Sequence, residues 1–112
     1  MKRRALPTEQ DEGAAVLMLS RAFHALRSAD EVAAFLRDLC TPAEIEAMAD
    51  RWSVVPHLLD GEAYRDIHDQ TGVSVTTVGR VARCLAHGQG YRAAARRLGL
   101  RRARLDTPDA HR

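Results

Sequence analysis

Aromatic residues are scarce in this chain: one Trp, two Tyr and two Phe make up 4% of its 112 residues. An interior with so few rings must be filled by Leu, Val, Ala and Ile, a palette suited to packing helix against helix, so an all-α fold is the first expectation. Cysteine is scarcer still. Cys40 and Cys84 stand far apart with no C-x-x-C, which argues against a disulfide framework or a zinc site and for a reduced, cytoplasmic setting. No apolar run approaches the roughly 20 residues that cross a bilayer, so no membrane association is expected. The basic start of Lys2, Arg3 and Arg4 is interrupted by Glu9, Asp11 and Glu12, which is not the pattern of a secretory signal. There is no Gly-rich phosphate loop and no internal repeat. Nothing nominates a base and an orienting group for a nucleophile, so neither enzymatic activity nor a cofactor is expected.

What is present suffices for one small domain. Hydrophobic residues make up 46% of the chain, enough for a core that association with another subunit would enlarge. The net charge is only +2, yet 16 of the 17 basic residues are Arg and they crowd the ends. Lys2, Arg3 and Arg4 lie near one terminus, and Arg92, Arg96, Arg97, Arg101, Arg102 and Arg104 near the other. Acids concentrate between Glu9 and Asp69. Basic ends of this kind suit phosphate contacts, and they also suit solvated helix faces.

Apolar spacing outlines the helices. Residues 14–27 place Val16, Leu19, Phe23 and Leu26 on one stripe. Ser28 and Glu31 then form a candidate capping box for a second helix reaching about Leu39. Thr41, Pro42 and Glu44 repeat the start signal, with Pro42 at a first position where its missing N–H costs nothing. The helix that follows carries Ile45, Met48, Ala49, Trp52, Val55, Leu58 and Leu59, with a kink possible at Pro56. Gly61 ends it. A short helix from 63 to 71 has Ala63, Tyr64 and Ile67 on its inner side and Gly72 as a left-handed stop.

The stretch TGVSVTTVGR, residues 71–80, is rich in β-branched residues and alternates like a strand. Beyond Val78 the alternation fails. Helical spacing instead gathers Val75, Val78, Val81 or Ala82, and Leu85 into one stripe, with Ser74 as N-cap. A last basic helix, with Tyr91, Ala95 and Leu98, follows the HGQGY break.

Residues 63–86 therefore read as helix, Gly-containing turn and helix, the pattern of a helix-turn-helix. Thr76, Arg80 and Arg83 point away from the seam, with Thr77 and Gly79 beside them. Arg can bond guanine bidentately and a Thr methyl can touch thymine. His68 departs from the pattern, which usually has a small residue there. Asp66, His68 and Asp69 face different sides of a short helix, so no metal site is expected. Trp52 reads as core, Arg51 as a structural ion-pair partner, His57 and His87 as surface, and both cysteines as small buried hydrophobes.

Taken together, FLRDLCTPAEIEAMADRW, LLDGEAYRDIHDQTGVSVTTVGRVARCL and HGQGYRAAARRL resemble the Trp repressor-like superfamily, most closely its YerC/YecD branch. The resemblance runs from about Ala14 to Leu98. It implies an all-helical, intertwined homodimer of about six helices per chain, carrying two helix-turn-helix heads that read double-stranded DNA. The chain then divides into a flexible basic segment (1–13), the helical domain (14–99) and an Arg-rich mobile tail (100–112). By position, Arg65 and His68 would face phosphates, and Ser74, Val75, Thr76 and Gly79 would lie nearest the bases. The effector positions of that family match Thr41, Arg51, Arg80 and Cys84. Val81 stands where the family has the Gly against which an indole lies, and overfilling such a site costs about 1–3 kcal/mol. The expectation is a dimeric, sequence-specific transcriptional regulator on a pseudo-palindromic site, not activated by tryptophan, its effector open. The rival reading is a helical protein-protein interaction module that keeps the fold.

Overall fold

The computed structural model describes residues 8–100. Among them the chain forms seven α-helices and no strand: α1 (Glu9–His24), α2 (Ala29–Leu39), α3 (Pro42–Ser53), α4 (Val55–Leu59), α5 (Tyr64–Thr71), α6 (Val75–His87) and α7 (Gly90–Arg97). The all-α expectation holds. They fall into two compact units that divide at Thr41 and Pro42.

In the first unit, α1 begins at Glu9 rather than near residue 14. Thr8 Oγ1 accepts the Asp11 N–H at 3.1 Å, and the Asp11 carboxylate accepts the Thr8 N–H at 3.2 Å. This reciprocal cap, with Glu9, Asp11 and Glu12 in the first turn, satisfies two free donors and opposes the positive end of the helix dipole. The segment expected to be flexible is therefore helical from residue 9, and its residues 1–7 lie outside the described residues. At α2, Ser28 Oγ accepts the Glu31 N–H at 3.1 Å, but Glu31 Oε1 accepts from the Arg27 N–H at 2.7 Å. The expected box is thus offset by one residue, because the Glu side chain is long enough to reach past the cap. Phe23 meets Phe35 edge to face, centroids 5.1 Å apart. Neither helix has a buried residue, and Val16, Leu17, Met18, Leu19 and Leu39 are all exposed large hydrophobics.

In the second unit, the single long helix expected from Pro42 is two. Pro56 has no N–H to give the Trp52 carbonyl, and its ring crowds that carbonyl. The chain turns at Val54 (φ −86°, ψ −10°) and resumes as α4. The break accounts for seven helices in place of about six. α6 is the hub, packing against α3, α4, α5 and α7. The core comprises Val54, Val55, Ile67, Val73, Val78, Val81 and Ala95, with Trp52, Leu58, Leu59, Leu85, Tyr91 and Leu100 packed against it. Trp52 also stacks on Tyr91, planes 5° apart and centroids at 6.2 Å. Aliphatic side chains fill the centre, as the shortage of rings requires.

Two expectations at the chain end and seam are corrected. Leu100 belongs to the domain rather than to a tail: its N–H donates to the Ala95 carbonyl at 2.8 Å and its side chain packs on the core. Residues 101–112 of the expected tail lie outside the described residues. Of the three inner residues expected on α5, only Ile67 is buried; Tyr64 is 43% exposed and Ala63 is exposed. One turn of an eight-residue helix presents a narrow face, and Ile67 alone occupies its centre. Among the described residues, no helix is long and apolar enough to cross a membrane.

Candidate nucleic-acid interface

The reach from α5 to α6 is built from short-range polar contacts. Gly72 closes α5 in the left-handed region (φ 77°), where an L side chain is strained, and donates its N–H to the His68 carbonyl. Thr71 Oγ1 donates to the Ile67 carbonyl at 2.7 Å and accepts the Val73 N–H at 3.1 Å. His68 Nδ1–H donates to the Val73 carbonyl at 2.8 Å. Both backbone groups of Val73 are thereby paired within the turn while its side chain, 6% exposed, enters the core. A buried turn residue with its polar groups satisfied is a stable hinge between two helices.

Ser74 then caps α6 as its sequence context predicts. Its Oγ accepts the Thr77 N–H at 3.1 Å and donates to Thr77 Oγ1 at 3.0 Å. Val78 and Val81 are fully buried against Ile67 and Val73. Thr76, Arg80 and Arg83 stand exposed on the opposite side, Thr77 and Gly79 are half-buried between, and Arg65 is exposed on α5. Val75 is corrected: it is 45% exposed rather than part of the seam. As the first helical residue, it lies beyond the reach of the core that Val73 enters from the turn. His68, expected to face phosphates, is exposed but commits Nδ1 to the turn.

The positions matched to an effector pocket are dispersed in character. Arg51 is half-buried on α3, Arg80 exposed, Val81 fully buried and Cys84 exposed on α6, while exposed Thr41 belongs to the first unit. Cys84 was expected to be buried, as was Cys40, which is half-buried. The inward line of α6 runs from Val81 to Leu85, and Cys84 stands to its solvent side.

Three features escaped sequence reasoning. His57, expected at the surface, is half-buried and donates from Nδ1 to Glu62 at 3.0 Å, while Gln70 Nε2 donates to Glu62 Oε1 at 2.7 Å. This chain of three ties α4, the turn and α5, and the hydrogen bond from His57 holds the Glu62 carboxyl below its ordinary value; desolvation, the next largest influence, opposes it, and the Gln70 hydrogen bond and the His57 charge add smaller lowering effects. Tyr64 carries its ring to α6, with Cε2 3.6 Å from where a Cβ on Gly79 would stand. An open groove of about 1080 Å³ is lined by Leu58, Leu59, Tyr64, Leu85, Arg92 and Leu100 among others. Separations of five and eight residues across a turn have no helical period, so only the three-dimensional path reveals them.

The family described as Trp repressor protein matches residues 14–98. The uncharacterized protein YerC of Bacillus subtilis (strain 168) is 41% identical over 63 residues, which are 56% of this chain and 61% of YerC; the match thus spans less than two thirds of that relative. The crystal structure of a TrpR-like protein from Eubacterium eligens ATCC 27750 superposes with a TM-score of 0.71 at 37% identity, covering 79% of this chain and 92% of that one. A candidate Trp repressor from Staphylococcus aureus superposes with a TM-score of 0.73 at 31% identity, covering 86% and 97%. With its seven helices in that fold and the family match running across the helix-turn-helix, the chain belongs to the Trp repressor family, on the branch that includes YerC.

Proposed function

We propose that this protein is a dimeric, sequence-specific DNA-binding transcriptional regulator that acts on a pseudo-palindromic site. The observation that carries the reading is the outward face of α6: Thr76, Arg80 and Arg83 are exposed, with no hydrogen bond or ion pair among the described residues, on a helix whose other side is locked into the core. Unpaired guanidinium groups on a rigid scaffold match guanine edges and phosphates. α5 would brace across the backbone with Arg65 and with His68, whose Nε2 has no hydrogen bond among the described residues. Thr77 and Gly79 would flank the contact.

A second copy of the chain is the partner this reading requires. α1 and α2 have no fully buried residue although they carry Val16, Leu17, Met18 and Leu19, and the groove on the second unit is lined by Leu58, Leu59, Leu85 and Leu100 beside Glu62, Arg92 and Arg96. Covering such surfaces favours association by about 25 cal/mol per Å². Two heads would then meet successive major grooves about 34 Å apart, as in the handling of operators by helix-turn-helix dimers. Light scattering should report twice the 12.4 kDa chain mass.

Tryptophan is not the activator in this reading. Val81, fully buried in the seam, fills the place where an indole would lie, and Cys84 replaces a small hydroxyl at the matched position. The effector set of Thr41, Arg51, Arg80, Val81 and Cys84 is then a vestige.

Selection of random duplexes by the purified protein, followed by sequencing, tests the reading. Enrichment of a two-part motif, with affinity falling steeply as salt rises, is the expected result. Association with a protein that persists in moderate salt, with no duplex enriched, would establish the interaction module instead.

A further inference from the structure

We infer that Val75 reads the 5-methyl group of a thymine, so that the half-site contains a thymine whose methyl, rather than its hydrogen-bonding edge, is recognised. The inference rests on the DNA-binding reading above and names what the first turn of α6 selects.

The first turn of a recognition helix supplies the side chains nearest the bases, and here its chemistry can be taken residue by residue. Ser74 Oγ is consumed by the cap, accepting the Thr77 N–H and donating its proton to Thr77 Oγ1. Thr77 is half-buried and engaged in the same pair. Thr76 is exposed and keeps a free hydroxyl as well as a methyl. Val75 is 45% exposed and has no polar atom. It contributes nothing to the core, which takes Val73 before it and Val78 after it. A β-branched residue in that place is also poorer for the helix than Ala, by a few tenths of a kcal/mol. The core does not require it, and helix propensity disfavours it.

One group in the major groove is apolar: the thymine methyl. Val75 offers two methyls held by a single favoured χ1 rotamer on a capped helix, a stiff surface against which one methyl can lose its water. Gly79, one turn further, adds no side chain between the helix and the groove. The α6 backbone can therefore come close enough for a side chain as short as Val to touch a base.

The test replaces single thymines by deoxyuridine in a duplex enriched by the random selection, which deletes one methyl and leaves every hydrogen bond intact. At one thymine per half-site the wild-type protein should bind the deoxyuridine duplex about fourfold more weakly per methyl lost. Val75→Ala should bind the thymine duplex more weakly and no longer distinguish it from the deoxyuridine duplex. Thr76→Ser, which removes the neighbouring methyl, should keep the discrimination. Unchanged circular dichroism and a Tm equal to or slightly above that of the wild type in Val75→Ala confirm that the exposed position was altered without harm to the fold. If no thymine position responds to deoxyuridine, or if Val75→Ala retains the full response, the inference is overturned while DNA binding stands. If no duplex is enriched at all, the DNA-binding reading falls and takes this inference with it.

Discussion

His68 and Val73 are joined across the turn by a hydrogen bond of 2.8 Å from the ring Nδ1–H to the backbone carbonyl. The bond leaves α5, bypasses Gly72 and fastens the last turn residue before the α6 cap, so it fixes the angle at which α6 is presented. This explains the His at a place where helix-turn-helix sequences usually carry a small residue.

His68→Ala leaves the Val73 carbonyl without its partner, at a cost of about 1–2 kcal/mol. Thermal unfolding should show a lower Tm, and affinity for all duplexes should fall together, since the hinge and not a base contact is lost. Arg65→Ala makes the contrast. Arg65 is exposed on α5 without a partner, so its removal should leave Tm unchanged and reduce the salt slope of DNA binding by about one. A drop in Tm for Arg65→Ala would place that residue in the fold rather than at phosphate.

Gly79→Ala separates stability from binding by moving them in opposite directions. Gly79 lies in the interior of α6, and a Cβ there meets Tyr64 Cε2 at 3.6 Å and Arg83 Nη1 at 3.7 Å, ordinary contact distances. The variant should gain up to about 1 kcal/mol from helix propensity. Its new methyl lies on the approach to the groove and should weaken DNA binding. Chemical denaturation and a fluorescence binding titration read the two effects independently.

These residues also show what a sequence discloses. The Ser74 cap and the Gly72 stop were legible because each is a local backbone problem with one residue type that solves it. Arg80, Arg83 and Thr76 were legible because a stripe of Val78 and Val81 fixes the opposite face. Val75, Cys84 and Tyr64 were misplaced because they sit at stripe edges, where exposure depends on which helix packs alongside. The split of the long helix at Val54 followed from Pro56, although periodicity alone ran straight through it. The bonds from His68 to Val73 and from His57 to Glu62 join residues five apart across turns, and no periodic pattern encodes them.

Acid should loosen the α4 to α5 connection. The hydrogen bond from His57 is the main reason the Glu62 carboxyl titrates below its ordinary value. A carboxyl depressed in the folded protein contributes stability above its unfolded pKa and loses it as pH falls through the folded value. Wild-type Tm should therefore decline from about pH 5 downward, and Glu62→Gln should flatten that limb while lowering Tm at neutral pH. The measurement is Tm against pH for both proteins. An identical acid limb would remove Glu62 from the account.

Val81 makes the sharpest claim about ligand response. Its side chain is fully buried in the core of the second unit, and in the function proposed above it occupies the place an indole would take. Isothermal titration with L-tryptophan should give no binding heat up to millimolar concentration, and the amino acid should leave operator affinity unchanged. Val81→Gly removes the obstruction but also a buried side chain worth about 1.5–3 kcal/mol, with a further cost of Gly inside a helix. That variant should melt at a lower temperature. If tryptophan raises its Tm and leaves the wild type unmoved, Val81 is the residue that closes the site; micromolar tryptophan binding by the wild type would show that the site is open after all.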